Sequence, residues 1–296
     1  NASTGLRCNV VTLYQGGAYH LYRFKRYTDV RLVFAPEQQI AFYGGDPDNF
    51  EFPRHDLDIC LFRAYENGRP AKVKHFLRFS PTGPCDGELV FVSGHPARTS
   101  RLLTVAELEN LRDQALPIRL DSLKRLEVLL GNWSARSEEN ARRAKRAFFG
   151  VQNGRKAMDG RLAGLLDPEL LSAKSRVETE FRTNLAGKPE FSDVLAAYDR
   201  IATATKTLAS QAMRSTLWEG GQAFHCDSFG LARTLLRAGD ERPKPNGERL
   251  REFSDSGRVT LELHLFSEKP IYADLELLTL ADSLTCLAGQ LGVNDS

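Results

Sequence analysis

The chain has 296 residues, of which 42% are hydrophobic and 26% are charged, with a formal net charge of +2. A chain of this length and composition can bury a hydrophobic core and can hold two domains. The balanced charge gives no indication of an acidic partner such as nucleic acid, and no apolar run reaches the roughly 18 residues that a membrane span needs.

Residues 10–101 have the pattern of short β-strands separated by turns. In residues 29–35, Val30, Leu32 and Phe34 alternate with other side chains, which predicts a strand with these three pointing inward. The predicted strands lie at residues 10–14, 19–27, 29–35, 57–64, 73–79 and 88–93. Glycine, proline and aspartate punctuate them, and many short strands at this spacing indicate a barrel.

From Leu102 onward the pattern becomes helical. Leu120, Leu123, Leu126 and Leu130 recur every three or four residues, which is typical of the buried face of an amphipathic helix. Further long helices are predicted at residues 134–149, 167–184, 191–218 and 271–291. The sequence therefore predicts a β-rich part followed by an α-helical part.

Asp58 is the first candidate for a chemical role. It lies between Leu57 and Ile59 in the predicted strand at residues 57–64. A carboxylate flanked by buried apolar neighbours is costly unless a cation or a hydrogen-bond donor meets it. Asp58 is therefore either a paired structural acid or the orienting acid of a catalytic triad.

Two segments around Asp58 resemble one enzyme family. Residues 44–63, GGDPDNFEFPRHDLDICLFR, and residues 86–101, DGELVFVSGHPARTSR, are similar to the bacterial dipeptidyl-peptidase 7 and 11 family of serine peptidases. The resemblance covers nearly the whole chain. It implies a mixed α+β fold, in which residues 1–101 form part of a chymotrypsin-like β-barrel and residues 102–296 form part of an inserted all-helical lid.

The resemblance also implies a triad in the chain order His, Asp, Ser, with its acid at Asp58. Neither a His segment ahead of residues 44–63 nor a Gly-Asn-Ser-Gly-type nucleophile segment is found, and Ser93 is not a match. The chain is therefore expected to be an internal fragment that hydrolyses nothing by itself.

Three further residues acquire a role through the resemblance, which implies that Asn49, Phe50 and Asn153 hold the free α-amino group of a peptide substrate. From the residues alone, Asn49 reads as an Asx-turn residue with Phe50 as a packing aromatic. Asn153, beside Gly154, reads as a cap where a helix is interrupted. Relatives often carry Trp where this chain has Phe50, which keeps a stacking surface and lacks the indole donor.

The function implied is a serine-type dipeptidyl aminopeptidase that releases dipeptides from free peptide N-termini. A periplasmic or secreted bacterial protein is expected, with a homodimer as a candidate assembly. The alternative is a non-catalytic helical interaction module on a degenerate protease-like barrel.

No cofactor or metal is expected. Asp46 and Asp48 lack the further oxygen ligands of a calcium loop, His55 stands at too loose a spacing from the neighbouring acids, and the five cysteines are scattered without a CxxC pair. The basic run at residues 142–146 is interpreted as a solvated helix face, and nucleic-acid binding through it is the weakest alternative.

Overall fold

The computed structural model describes residues 5–14, 17–92, 94 and 102–291. The chain divides into two compact units, Asn1–Ser100 and Arg101–Ser296, called here the β unit and the helical unit. The described part is mostly helical and carries two small antiparallel sheets, so the predicted mixed α+β class is confirmed.

The β unit contains a two-stranded and a three-stranded sheet. The first pairs β1 (Arg7–Leu13) with β2 (Ala18–Phe24), and the second has the order β3 (Asp29–Phe34), β4 (Leu61–Glu66), β5 (Arg69–Pro70). Asn67 and Gly68 join β4 to β5, and both have positive φ, at 52° and 73°. This Asn-Gly pair is the sequence signature of a tight hairpin turn, because both central residues of such a turn need the left-handed region.

Between β3 and β4 lies a segment that includes a short helix, α1 (Gln38–Ala41), and one turn of 3-10 helix at Asp46–Asp48. Residues 42–60, which include this 3-10 turn, are called the Asn49 loop. It returns to α1, because the Leu57 N–H donates to the Ile40 carbonyl at 3.0 Å.

Several β predictions are wrong. Residues 73–79 and 88–92 form no strand, and residue 93 lies outside the described residues. The predicted partial barrel is not confirmed, because the described strands form no closed barrel. Val30, Leu32 and Phe34, which were predicted to point inward, are 53%, 61% and 44% exposed. A strand face is buried only where a second layer covers it, and no described residues form that layer here.

The helical unit begins with α2 (Val105–Asn110), which runs through a π-helical segment at Leu111–Ala115 into α3 (Leu116–Ser134). The remaining helices are α4 (Glu138–Leu166), α5 (Pro168–Leu185), α6 (Ser192–Leu217), α7 (Asp227–Glu241), α8 (Arg258–Leu265) and α9 (Ala273–Leu291). The predictions at residues 167–184, 191–218 and 271–291 are confirmed. The prediction at 134–149 is wrong in extent, because α4 continues to Leu166.

The core of the helical unit lies between α3 and α4. The leucine stripe predicted for α3 is confirmed: Leu120, Leu123, Leu126 and Leu130 are each at most 5% exposed. Leu123, Leu126 and Leu130 form one buried cluster with Trp133 of α3 and with Ala144 and Val151 of α4. Full burial of a leucine side chain contributes about 1.5–3 kcal/mol, so this stripe supplies much of the unit's stability.

Candidate functional site

The Asn49 loop holds Asn49 in a buried position. Asn49 is 3% exposed although its side chain is polar. Its Oδ1 accepts a hydrogen bond from the Tyr43 hydroxyl at 2.7 Å, and its backbone N–H donates to the Asp46 carbonyl at 3.0 Å. A buried carboxamide needs such partners, because an unsatisfied polar group in the interior costs about 1–3 kcal/mol.

The backbone of this loop is unusual. Tyr43 and Phe50 have φ values of 36° and 64°, and Gly44 and Gly45 between them have 85° and 127°. Non-glycine residues in the left-handed region cost on the order of 1–3 kcal/mol and persist where the surroundings hold them. Here the Gly45 N–H donates to the Phe42 carbonyl at 2.7 Å. The loop is therefore held in one shape by local bonds.

Phe50 follows Asn49 directly and is 57% exposed. The interpretation of Phe50 as a packing aromatic is therefore wrong for the described residues, because its ring is not buried against the loop. An exposed aromatic in a strained conformation next to a buried carboxamide offers a surface on which a ligand can stack.

Asp58 lies at the end of the Asn49 loop, before β4 begins at Leu61. The prediction that it lies within a strand between buried neighbours is wrong, since Leu57 and Ile59 are 47% and 38% exposed. The backbone there is outside the ladder, and the Ile59 N–H donates locally to the Leu57 carbonyl. The exposed Asp58 carboxylate makes no hydrogen bond or ion pair with the described residues. None of the described residues therefore supports the interpretation of Asp58 as a paired structural acid.

Asn153 belongs to the helical unit and lies in the interior of α4, half-buried. The prediction that it caps an interrupted helix is wrong. Gly154 does not break α4. Its lack of a side chain leaves room for Leu123 of α3, since a Cβ added there would lie 3.4 Å from Leu123 Cδ2. Arg155, two residues on, binds Glu127 of α3 and Asp159 of α4, so Asn153 is carried on a firmly packed helix.

The basic run on α4 is confirmed as a solvated, paired helix face. Arg142 and Arg143 both bind Glu139, at 2.7 and 2.8 Å, and Arg143 also binds Asp274 at 2.9 Å. These i,i+3 and i,i+4 pairs are the usual support of an exposed helix face.

A cleft of about 530 Å³ in the helical unit was missed by the sequence analysis. Its walls include Arg119 of α3, Arg146 of α4, Lys269 in the segment before α9, and Glu276 of α9. His225 lines it too, and burial, followed by the charges of Arg119 and Arg125, lowers the pKa of its imidazole. These segments are far apart in sequence, so no local sequence motif predicts the cleft.

Within the described part of the chain, no three His, Cys, Asp or Glu side chains are grouped so that they could hold a metal ion. None of the helices described here combines the length and apolar character that crossing a bilayer demands.

Comparison with known proteins identifies the class. The family model described as Peptidase S46 matches residues 1–296, and the chain belongs to the peptidase S46 family. This confirms the resemblance found in residues 44–63 and 86–101.

Two curated relatives illustrate the likeness. The Asp/Glu-specific dipeptidyl-peptidase of Shewanella putrefaciens is 30% identical over 284 residues, which cover 89% of this chain and 36% of that protein. Dipeptidyl-peptidase 7 of Phocaeicola vulgatus is 28% identical over 214 residues, which cover 67% of this chain and 29% of that protein. The chain thus spans roughly a third of the length of the relatives it matches.

The fold is also similar to a solved structure. The crystal structure of Porphyromonas endodontalis DPP11 in complex with the dipeptide Arg-Glu superimposes with a TM-score of 0.67 at 23% identity, covering 98% of this chain and 43% of that one. At this identity the likeness speaks for the fold alone.

Proposed function

We propose that this chain is part of a serine-type dipeptidyl aminopeptidase that releases dipeptides from free peptide N-termini. Membership of the peptidase S46 family and the two dipeptidyl-peptidase relatives support the reaction class. One structural observation carries the proposal: a single loop presents an exposed carboxylate without a described partner, Asp58, and a buried, oriented carboxamide, Asn49.

In the proposed reaction Asp58 is the acid of a His-Asp-Ser triad. Its carboxylate would accept the Nδ1–H of the histidine, fix the tautomer of the ring and stabilise the imidazolium that forms. The histidine would take the proton of the serine, which attacks the second peptide bond of the substrate. Backbone N–H groups near the serine would hold the oxyanion. The histidine and serine would come from the whole protein, outside residues 1–296.

The free N-terminus of the peptide would be recognised by Asn49, Phe50 and Asn153. A protonated amine carries three donors and is costly to desolvate without acceptors. Carboxamide oxygens of Asn49 and Asn153 would meet those donors, and the exposed ring of Phe50 would cover the site. Fixing the amine at a set distance from the serine would limit cleavage to the second bond.

The finer architecture belongs to the same proposal. Residues 1–101 would form part of a chymotrypsin-like barrel and residues 102–296 part of a helical lid, which the fold likeness to DPP11 supports. We also propose a periplasmic or secreted location, which the bacterial origin of the relatives supports, and a homodimer as the assembly to test first.

The test uses the full-length enzyme and one chromogenic peptide with and without an N-terminal acetyl group. Acetylation removes the cation, and each lost hydrogen bond to a charged group costs about 1.5–3 kcal/mol. We expect kcat/KM to fall at least about a hundredfold, at 1.36 kcal/mol per decade.

Asn49→Ala should reduce the difference in kcat/KM between the two peptides. It should lower kcat/KM for the free-amine peptide and leave kcat/KM for the acetylated peptide almost unchanged. An equal loss for both peptides would show that Asn49 only shapes the loop. Asn153→Ala should reduce the difference in kcat/KM between the two peptides in the same way.

A further inference from the structure

The Tyr43–Asn49 hydrogen bond has a defined direction. A carboxamide oxygen can only accept, so the Tyr43 hydroxyl is the donor in the 2.7 Å contact, a normal length for an O–H···O bond. Asn49 is 3% exposed, so bulk water competes little with this donor. The bond therefore engages the oxygen end of the carboxamide, with the hydroxyl as its donor.

Tyr43 is itself fixed by its surroundings. The Arg54 guanidinium lies 4.3 Å from the centroid of its ring, and the Phe42 ring lies 4.7 Å away at an interplanar angle of 32°. Its backbone has φ 36°, next to the turn at Gly44 and Gly45. Arg54 follows Asn49 in the sequence and Tyr43 precedes it, so the Tyr43 ring connects the two ends of the segment that contains Asn49.

We infer that Tyr43 is a positioning residue for recognition of the substrate α-amino group, acting through the side chain of Asn49. The inference rests on the proposed function, in which Asn49 accepts from that ammonium. The terminal torsion of asparagine is broad and roughly two-fold, so a carboxamide without a fixed partner can turn its NH₂ toward a ligand. An NH₂ group directed at an ammonium cannot form a hydrogen bond with it, because both groups are donors. By holding Oδ1, the Tyr43 hydroxyl keeps the acceptor end in place.

Tyr43→Phe in the full-length enzyme removes the hydroxyl and keeps the aromatic ring beneath Arg54. The interaction is present in both ground and transition states, so its loss should raise KM for a free-amine peptide about tenfold with kcat little changed. The acetylated peptide should be hydrolysed as by the wild type.

Tyr65→Phe is the matched control. The Tyr65 ring also lies under a guanidinium, that of Arg31 at 4.0 Å, but its hydroxyl makes no hydrogen bond with the described residues. This variant should retain wild-type KM for both peptides.

A double mutant separates positioning from general damage. If Tyr43 acts only through Asn49, adding Tyr43→Phe to Asn49→Ala should change KM no further. Additive effects, or an equal loss for free and acetylated peptides, would overturn the inference. If Asn49→Ala narrows the selectivity and Tyr43→Phe does not, the inference alone fails. If Asn49→Ala itself leaves the selectivity intact, the amine site of the proposed function fails with it.

Discussion

The carboxylate of Glu276 on α9 binds the first turn of α7, accepting the N–H of Asp227 at 2.9 Å and of Ser228 at 2.7 Å. The first N–H groups of a helix have no partner within the helix, and they carry its partial positive charge. Glu276 therefore joins two helices whose contacting residues are 48 and 49 positions apart in sequence.

Removing this cap should destabilise the protein. Glu276→Ala leaves two N–H groups without their acceptor, and we expect the free energy of unfolding to fall by about 1–3 kcal/mol. Urea denaturation followed by circular dichroism measures the change. Glu268→Ala, which removes an exposed carboxylate that binds none of the described residues, should fall within about 0.5 kcal/mol of the wild type. Equal losses for the two variants would show that the cap contributes nothing.

The same cap should make the free energy of unfolding depend on pH. Partial burial raises the pKa of Glu276, but the N–H groups of Ser228 and Asp227 outweigh it, so the pKa lies below its ordinary value of 4.5. A lowered folded-state pKa adds stability above the unfolded value, and this stability is lost as pH falls through the folded value. The difference between wild type and Glu276→Ala should thus be constant near pH 7 and shrink below pH 4.5. A difference unchanged at pH 3 would contradict this cause.

The ion pairs of Glu139 should respond to salt. Hydrogen bonds from Arg142 and then Arg143 lower the pKa of Glu139 to about 2, yet its side chain is about half exposed to solvent. Salt weakens the attraction between exposed charges, and at 1 M salt the Debye length is only about 3 Å. Glu139→Gln should therefore lower the melting temperature more at low salt than at 1 M salt. Glu138→Gln, an exposed neighbour that binds none of the described residues, should show no such salt dependence.

The continuity of α4 can be tested at Gly160. This glycine is exposed within the helix, and a Cβ added there would meet no atom within 4 Å. Gly160→Ala should raise the free energy of unfolding by about 0.5–1 kcal/mol, because glycine loses more conformational freedom in a helix. Ala163→Gly should lower it by a similar amount. Destabilisation by Gly160→Ala would mean that the helix is interrupted there.

The helical unit was largely predictable from sequence because helices use local bonds. The stripe at Leu120, Leu123 and Leu126 predicted the buried face of α3 without knowledge of its partner. The end of α4 was mispredicted because Gly154 was interpreted as a breaker, whereas it allows close approach to Leu123. That distinction depends on the neighbouring helix and cannot be read from a single segment.

The β unit was less predictable because strands depend on distant partners. Residues 57–60 alternate like a strand, but pairing with β3 begins only at Leu61. For the site, residues 44–63 and the family resemblance predicted roles for Asp58, Asn49 and Phe50 that remain proposals. The Tyr43 hydroxyl bond depends on the left-handed turn at Gly44 and Gly45, which spacing alone does not reveal.

The central claim is that Asp58 is the acid of the triad, and the turnover of Asp58→Asn in the full-length enzyme tests it most directly. Because the exposed carboxylate binds none of the described residues, the variant should fold with an unchanged melting temperature. Its kcat should fall about 10⁴-fold, as when the triad acid of a chymotrypsin-like protease is replaced by asparagine. Asp56→Asn, two residues away and also exposed, should retain kcat near that of the wild type. Near-normal turnover of Asp58→Asn, or an equal loss in Asp56→Asn, would contradict the assignment.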